Sequence, residues 1–113
     1  VDIEDYSKKI FDNSIKFEAW SGKKIIGLIA VYSNTSSKIA FITNVSVVDD
    51  FKRQGIATHL LDKCIVYFNK KKFKSIALEV AEENNKAFKF YANNLFSVSS
   101  KSNGKYQMKL EIK

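Results

Sequence analysis

Proline, cysteine and histidine are almost missing from this sequence of 113 residues, which contains no proline, one cysteine and one histidine. A single cysteine excludes an internal disulfide bond, and with only one histidine beside it we expect no zinc or other bound metal. No apolar run approaches the roughly 18 residues that a membrane-spanning helix needs. The first residues, VDIEDYSKKIFD, are acidic and then amphipathic, unlike a secretory signal. These absences predict a cytoplasmic protein with no membrane contact.

Arginine is also scarce, because Arg53 is the only arginine among 19 basic residues, although the net charge is +7. The lysines are spread along the chain, and the one dense stretch, KKKFK at 70–74, falls at the end of a predicted helix, where cations are favourable. Proteins that read bases usually do so with arginine. The charge therefore favours a general attraction to anionic ligands, and a nucleic-acid partner is the less favoured interpretation.

The residues that are present predict one domain of strands and helices. Apolar runs and apolar/polar alternation predict strands at 15–20, 25–33, 39–48, 75–81, 96–100 and 106–112. Apolar residues spaced three and four apart predict helices at 2–13, 56–71 and 84–94. The strand at 25–33 is apolar on both faces and should be central, and Cys64 should be buried. We expect an α/β fold, with a mixed sheet of about six strands flanked by helices and a parallel crossover between 39–48 and 75–81.

The turn between the third predicted strand and the next helix, DDFKRQG, favours an anion site. The first amides of a helix have no internal acceptor, and the helix dipole places positive potential there. Gly55 lets a ligand approach the backbone, Lys52 and Arg53 add charge, and Thr58 adds a hydroxyl group. This combination suits a pyrophosphate. The alternative is an ordinary strand-to-helix turn with a glycine, since neither GxxxxGK[ST] nor GxGxxG occurs.

Two spaced motifs resemble the GCN5-related N-acetyltransferase (GNAT) family, and the resemblance covers residues 15–112. The stretch VVDDFKRQGIA at 47–57 is similar to V-x-P-x-[YF]-[RQ]-x-x-G-x-[GA]. The second motif, L-x-V-x-x-x-N-x-x-A-x-x-x-Y-x-x-x-G-F, is matched at Leu78, Val80, Asn84, Ala87, Tyr91 and Phe96. The resemblance implies a GNAT-like sheet without the family's first strand and helix, and acetyl-CoA as cosubstrate. It implies cofactor contacts at Val45, Val47, Lys52, Arg53, Gln54, Gly55, Ile56, Ala57, Thr58, Asn84 and Ala87.

Three residues depart from the family pattern. Lys52 replaces the usual arginine or glutamine, which keeps a charge but loses the planar fork that binds phosphate at two points. Asp49 stands where proline is common, a change that we expect only to loosen the turn. Leu95 replaces the glycine that ends the helix, so we predict that Asn93 or Asn94 takes the left-handed conformation instead.

Similarity to ribosomal-protein N-terminal acetyltransferases implies catalytic roles for two residues. Glu79, in the LEV stretch, would be the base that removes the proton of the acceptor amine, and Tyr91, twelve residues later, the acid that protonates the departing thiolate. A base is useful because a lysine amine with a pKa of ~10.4 is neutral at pH 7 only about one time in 2,500. The alternatives are an exposed strand glutamate paired with a lysine, and a tyrosine of the core.

Other polar and aromatic residues have weaker assignments. Asn84 is expected both to cap a helix and to contact the pantetheine arm, whose amides should pair with the backbone of Val45 and Val47 like an added strand. His59 is more simply a bystander than a phosphate contact. Trp20 and Tyr32 could line an acceptor cleft, although core packing is the favoured interpretation for both.

The sequence as a whole predicts an acetyl-CoA-dependent N-acetyltransferase that acts by direct transfer on a primary amine of a small molecule or peptide. A CoA-binding module of the same fold that needs a partner for catalysis, and a basic nucleic-acid-binding domain, are the alternatives. The sequence does not specify the acceptor. The final pair of strands could support a homodimer.

Overall fold

The computed structural model describes residues 14–112. Its elements are the strands β1 (Ile15–Ser21), β2 (Lys24–Asn34), β3 (Ile39–Val47), β4 (Ser75–Ala81), β5 (Ser97–Ser102) and β6 (Lys105–Glu111), the helices α1 (Ile56–Lys70) and α2 (Asn85–Asn93), and a short 3-10 helix (Asp49–Phe51). All predicted strands and helices within this range are confirmed, with boundaries that differ by one or two residues. The helix predicted at 2–13 lies outside the described residues.

The strands form one six-stranded sheet in the order β1-β2-β3-β4-β6-β5. Strands β3 and β4 pair in parallel, as the crossover prediction requires, and every other neighbouring pair is antiparallel. The mixed sheet is therefore confirmed. Strand β2 lies inside the sheet and is buried from residue 25 to residue 31, which explains why its sequence is apolar on both faces.

The sheet opens between β3 and β4. Their pairing is limited to Ile39 with Ser75, Ala40 with Ile76 and Phe41 with Ala77. Beyond that point β3 continues to pair with β2, and β4 continues to pair with β6, but β3 and β4 no longer pair with each other. The second halves of two neighbouring strands therefore border a gap, and their backbone groups on that side have no strand partner within residues 14–112.

A β-bulge in β3 sets which side chains face the helices. Val31 is opposite Ile42 but Ala30 is opposite Asn44, so Thr43 is the extra residue, and its hydroxyl donates to the Ala30 carbonyl at 3.2 Å. An extra residue changes the alternation of the strand from that point on. Val45 consequently packs on the same hydrophobic cluster as Ile42. The bulge thus turns the end of β3 toward the helical side of the sheet.

Both described helices contribute to one hydrophobic cluster with the sheet. Helix α1 buries Leu60, Leu61, Cys64 and Phe68, and α2 buries Tyr91. Close packing of α1 on β2 depends on Gly27, because a β-carbon there would lie 2.8 Å from Cγ2 of Ile56. The first turn of α1 is held directly against the sheet as a result. Within residues 14–112, no helix combines the length and the apolar character needed to span a bilayer.

The buried position predicted for Cys64 is confirmed. Because of this burial, the stability of the fold should decrease at alkaline pH. Burial raises the pKa of this thiol from 9.0 to about 12. Above pH 9 the unfolded chain releases the thiol proton while the folded chain keeps it, so the stabilisation is complete below pH 9 and is lost as the pH rises toward 12. The free energy of unfolding should fall by up to about 1.4 kcal/mol per pH unit in this window.

Urea unfolding of the Cys64→Ala variant between pH 8 and pH 10 checks this expectation. The variant should start less stable, because the smaller side chain leaves a cavity in the core, yet lose less stability per pH unit than the original chain. Equal slopes for the two proteins would contradict a neutral, buried thiol.

The end of α2 corrects the prediction for Asn93 and Asn94. Leu95 itself is in the left-handed conformation, with φ of +75°. The N–H of Phe96 donates to the carbonyl of Tyr91 at 3.0 Å, and the N–H of Leu95 donates to the carbonyl of Ala92 at 3.1 Å. These two bonds define a Schellman motif, and the rings of Tyr91 and Phe96, 5.7 Å apart, form its hydrophobic contact. The motif therefore fixes position 95 as the left-handed residue, whatever its side chain.

Leu95→Gly should stabilise the protein by about 0.5–1 kcal/mol. A left-handed L-residue costs roughly 1–2 kcal/mol, of which the greater flexibility of unfolded glycine offsets part. Little burial is lost, because Leu95 is 79% exposed. Denaturant midpoints with unchanged m-values measure the effect. Leu95→Ala is the matched control, since it removes the same apolar chain but keeps the β-carbon; a glycine variant no more stable than the alanine variant would argue against strain at this position.

Candidate functional site

A cavity of about 470 Å³ lies between the end of β3, the start of α1 and one side of α2. Its lining contains most of the residues that the sequence predicted for a cofactor. The lining residues are Val45, Val47, Phe51, Lys52, Arg53, Gly55, Ile56, Ala57, Thr58, Asn84, Lys86, Ala87, Phe90 and Tyr91. Of the predicted site residues, Gln54 and Glu79 are outside this lining, whereas Phe51, Lys86 and Phe90 were not predicted. The structure thus brings two distant motifs together around one cavity.

Backbone N–H groups at the start of α1 border this cavity. Gly55 is the N-cap residue with φ of +77°, and no side chain among the described residues caps the helix. The first helical bond runs from the N–H of His59 to the carbonyl of Gly55, at 2.9 Å. The preceding N–H groups of the first turn therefore have no helical acceptor. Arg53 also has a positive φ, +65°, so two residues of the turn before α1 are in the left-handed conformation. Such an arrangement attracts anions.

The free edge of β3 forms a second wall. The N–H of Val48 donates to the carbonyl of Ile26 in β2 at 2.9 Å. Backbone direction alternates along an antiparallel strand, so the N–H and C=O groups of Val47 and Val45 point away from β2 and into the gap. An extended ligand with amide groups can pair with such an edge as an additional strand does.

Among residues 14–112, the cavity lining contains three cationic side chains, Lys52, Arg53 and Lys86, and no carboxylate. Lys52 is engaged, because its Nζ lies 2.8 Å from Oδ1 of Asp49. The hydrogen bond and charge of Lys52 hold the pKa of Asp49 below its usual value, and the charge of Lys86 acts in the same direction. The expectation that Asp49 would only loosen the turn is wrong, since it begins the 3-10 helix and pairs with a cation of the cavity.

Tyr91 belongs to the core and lines the cavity at the same time. Only 9% of the residue is exposed, and its ring makes edge contacts with Phe90 and Phe96 at 5.3 and 5.7 Å between centroids. Burial raises the pKa of Tyr91 to about 12. The phenol is therefore a neutral hydrogen-bond donor at physiological pH, held in place by rings on both sides and by the Schellman motif at its carbonyl.

The cap predicted for Asn84 is confirmed. Its Oδ1 accepts from the N–H of Ala87 at 3.1 Å, which starts α2, and the same two residues line the cavity. The N-terminal turn of α2 thus borders the cavity from the side opposite α1. Lys86 lies in this turn, and no motif of the sequence marked it.

Glu79 lies on the other face of the sheet and lines a second cavity of about 670 Å³. Its Oε2 accepts from Nε2 of Gln107 at 2.8 Å, and Oε1 of Gln107 in turn accepts from the hydroxyl of Ser100 at 2.9 Å. An exposed strand glutamate was expected to pair with a lysine, but the partner of Glu79 is the side-chain amide of Gln107. The sequence could not indicate Gln107, because only the register of β4 with β6 places it opposite Glu79.

Three other residues complete the comparison with the sequence predictions. His59 is exposed and lines neither cavity, as expected of a bystander. The prediction that Trp20 and Tyr32 pack in the core is wrong, because these residues are 50% and 55% exposed. Tyr32 is opposite Phe41, and Phe41 lines the second cavity. The exposed ring of Tyr32 therefore lies beside that cavity.

Comparison with known proteins agrees with this geometry. Residues 2–95 match the Acetyltransferase (GNAT) family. Over 75 residues the chain is 32% identical to streptothricin acetyltransferase A of Bacillus subtilis (strain 168), covering 66% of this chain and 43% of that protein. The chain therefore spans less than half the length of this curated relative.

Two solved structures share the fold. The ribosomal-protein-S18-alanine N-acetyltransferase of Escherichia coli superposes with a TM-score of 0.80 at 20% identity, over 96% of this chain and 76% of that chain. The PaiA N-acetyltransferase of Thermoplasma acidophilum, in complex with coenzyme A, superposes with a TM-score of 0.81 at 19% identity, over 96% of this chain and 65% of that chain. The chain belongs to the GNAT family of acetyltransferases.

Proposed function

We propose that this protein is an acetyl-CoA-dependent N-acetyltransferase that transfers the acetyl group directly to a primary amine. One observation carries the proposal: the uncapped start of α1, the free edge of β3 and the neutral phenol of Tyr91 border a single cavity. These three features match the diphosphate, the amide groups and the thioester of acetyl-CoA, respectively. The names of the relatives support the same class of reaction.

We expect acetyl-CoA to lie along this cavity, with a different group of residues contacting each part of the cofactor. The N–H groups that follow Gly55, with Lys52, Arg53 and Lys86, would hold the diphosphate. The backbone of Val45 and Val47 would pair with the amides of the pantetheine arm. Asn84 and Ala87 would contact the end of that arm, next to Tyr91. The complex of the Thermoplasma acidophilum protein with coenzyme A supports a cofactor of this kind.

The proposed transfer forms a bond from the amine nitrogen to the thioester carbonyl carbon and breaks the carbon–sulfur bond. An ammonium acceptor loses two protons when it becomes an amide. Glu79, directly or through water, would take the first and pass it to solvent. Tyr91 would donate its proton to the departing sulfur and recover one from the nitrogen. Since burial raises the pKa of Tyr91 to about 12, it keeps its proton until negative charge develops on the sulfur.

Acetyl-CoA binding and thiol release, measured together, test the proposal. Acetyl-CoA at 100 times its Kd should stabilise the fold by about 2.7 kcal/mol, visible as a rise in Tm. A screen of primary amines should then release the CoA thiol in amounts equal to acetylated amine. Binding without release on any amine would instead support a module that has lost catalysis, and the absence of any thermal shift would overturn the proposal.

Asp49→Asn should tighten CoA binding about three- to tenfold, because it removes a negative charge from the rim of the cavity and frees Lys52 for a phosphate. Calorimetric titration at low and high salt measures the effect, which should shrink as salt screens the charges. Asp50→Asn is the matched control, with the same change of net charge one residue away. If both variants tighten binding equally, the Asp49–Lys52 contact is not the cause.

A further inference from the structure

The second cavity, on the face of the sheet that carries Glu79, contains one acidic and one basic side chain from the described part of the chain. Glu79 is opposite Gln107 and Ala81 is opposite Lys105, so Glu79 and Lys105 are diagonal neighbours on the same face. Diagonal neighbours of this kind lie about 7–8 Å apart, and their β-carbons are somewhat closer. Both residues line the cavity.

These two charges do not neutralise each other. The carboxylate of Glu79 is held by the neutral amide of Gln107. Lys105 has no ion pair within the described part of the chain, whereas Lys109 on the same strand is 3.1 Å from Glu111 and Lys101 on β5 pairs with Glu82. The cavity thus presents a carboxylate and an ammonium group side by side, each available to a ligand.

The remaining wall of the cavity is largely apolar, formed by residues such as Phe41, Ile42, Leu78 and Met108. Sites for small ligands combine such apolar walls with a few polar groups that fix the orientation of the ligand. A ligand that satisfies both groups carries a positive and a negative charge a few ångströms apart. An amine acceptor supplies the positive charge, and its own carboxylate would supply the other.

We propose that this cavity selects a primary amine that bears a nearby carboxylate, with the ammonium group beside Glu79 and the carboxylate beside Lys105. The inference rests on the proposed acetyl transfer and names its acceptor. The transfer itself is unchanged: the nitrogen–carbon bond forms, the carbon–sulfur bond breaks, one amine proton goes to solvent through Glu79 and one to the sulfur. A free amino acid and the N-terminus of a peptide with an early acidic residue share this chemistry.

Two matched pairs of acceptors test the selection and distinguish its sources. Alanine against alaninamide represents free amino acids, with kcat/KM expressed per neutral amine because the two amines have different pKa values. The amidated tripeptides Ala-Asp-Ala against Ala-Asn-Ala represent peptide N-termini and are treated in the same way. We expect kcat/KM for CoA release to be about tenfold higher for the carboxylate member of at least one pair. A preference confined to the first pair identifies an amino acid, and one confined to the second identifies a peptide.

Substitution of Lys105 connects the preference to the cavity. Lys105→Gln should bring the ratio within the preferred pair close to one, and Lys105→Glu should invert it. Lys109→Gln, which removes a cation that lies outside the cavity, should leave the ratio unchanged. Equal rates within both pairs, or a ratio that survives Lys105→Gln, would overturn the inference while acetyl transfer itself stands; no release from any amine would overturn both.

Discussion

Tyr91→Phe should lower kcat about 100-fold and leave the Kd for CoA nearly unchanged. The substitution removes only the hydroxyl group, and the ring keeps its contacts with Phe90 and Phe96. The departing thiolate then has no acid beside it, whereas the groups proposed to hold the cofactor are intact. Steady-state kinetics with thiol detection gives kcat, and calorimetric titration with CoA gives Kd.

Tyr67→Phe is the control for this experiment. Tyr67 lies near the far end of α1, packs against Phe17 and Phe68, and does not line the cavity. It should change kcat by less than about twofold, and each variant should unfold within about 1 kcal/mol of the original chain. An unchanged kcat in Tyr91→Phe would make Tyr91 a residue of the core alone.

Gly55→Ala should weaken CoA binding about 10- to 100-fold, or roughly 1.4–2.8 kcal/mol. No atom of the described residues lies within 4 Å of a β-carbon built at this position, so they leave space for the methyl group. The effect comes instead from φ of +77°, which alanine disfavours, and from a methyl group at the point where a phosphate would approach the backbone. Both consequences fall on the N–H groups proposed to bind the diphosphate.

Gly22→Ala separates backbone strain from ligand binding. Gly22 has φ of +60° in the turn between β1 and β2, also has no atom within 4 Å of a built β-carbon, and does not line the cavity. It should lower stability by a similar amount with no change in CoA affinity. If Gly55→Ala affects stability but not Kd, the start of α1 is not the diphosphate site.

Local patterns in the sequence predicted the elements of the sheet and most of the cavity. Strand alternation and helical spacing are short-range signals, so β2 was predicted to within one residue at each end and α1 to within one residue at its C-terminal end. Most of the cavity residues followed from the resemblance of two motifs to the GNAT family, and these motifs lie on neighbouring elements. The Asp49–Lys52 pair is also local, with a spacing of three residues from the start of the 3-10 helix to the residue that follows it, and could have been inferred from the sequence.

What the sequence did not predict depends on register and on packing. Leu95 is left-handed because the contact of Phe96 with Tyr91 fixes the residue before Phe96, and intrinsic preference for asparagine does not outweigh that contact. Gln107 reaches Glu79 across 28 residues of sequence. Exposure of Trp20 depends on which surfaces other elements cover, and no single strand pattern contains that information.

The divergence of β3 and β4 after Phe41 and Ala77 would have a consequence for the kinetics of the proposed transfer. The first cavity is bordered by both helices, and the second takes Glu79 and Lys105 from the other face of the sheet. In the proposed reaction, a nucleotide-bearing donor and an amine would therefore enter from different directions and leave without passing each other. Neither would need to depart before the other arrives. Initial-rate plots at several fixed donor concentrations should therefore intersect, as for a ternary complex, and should not run parallel.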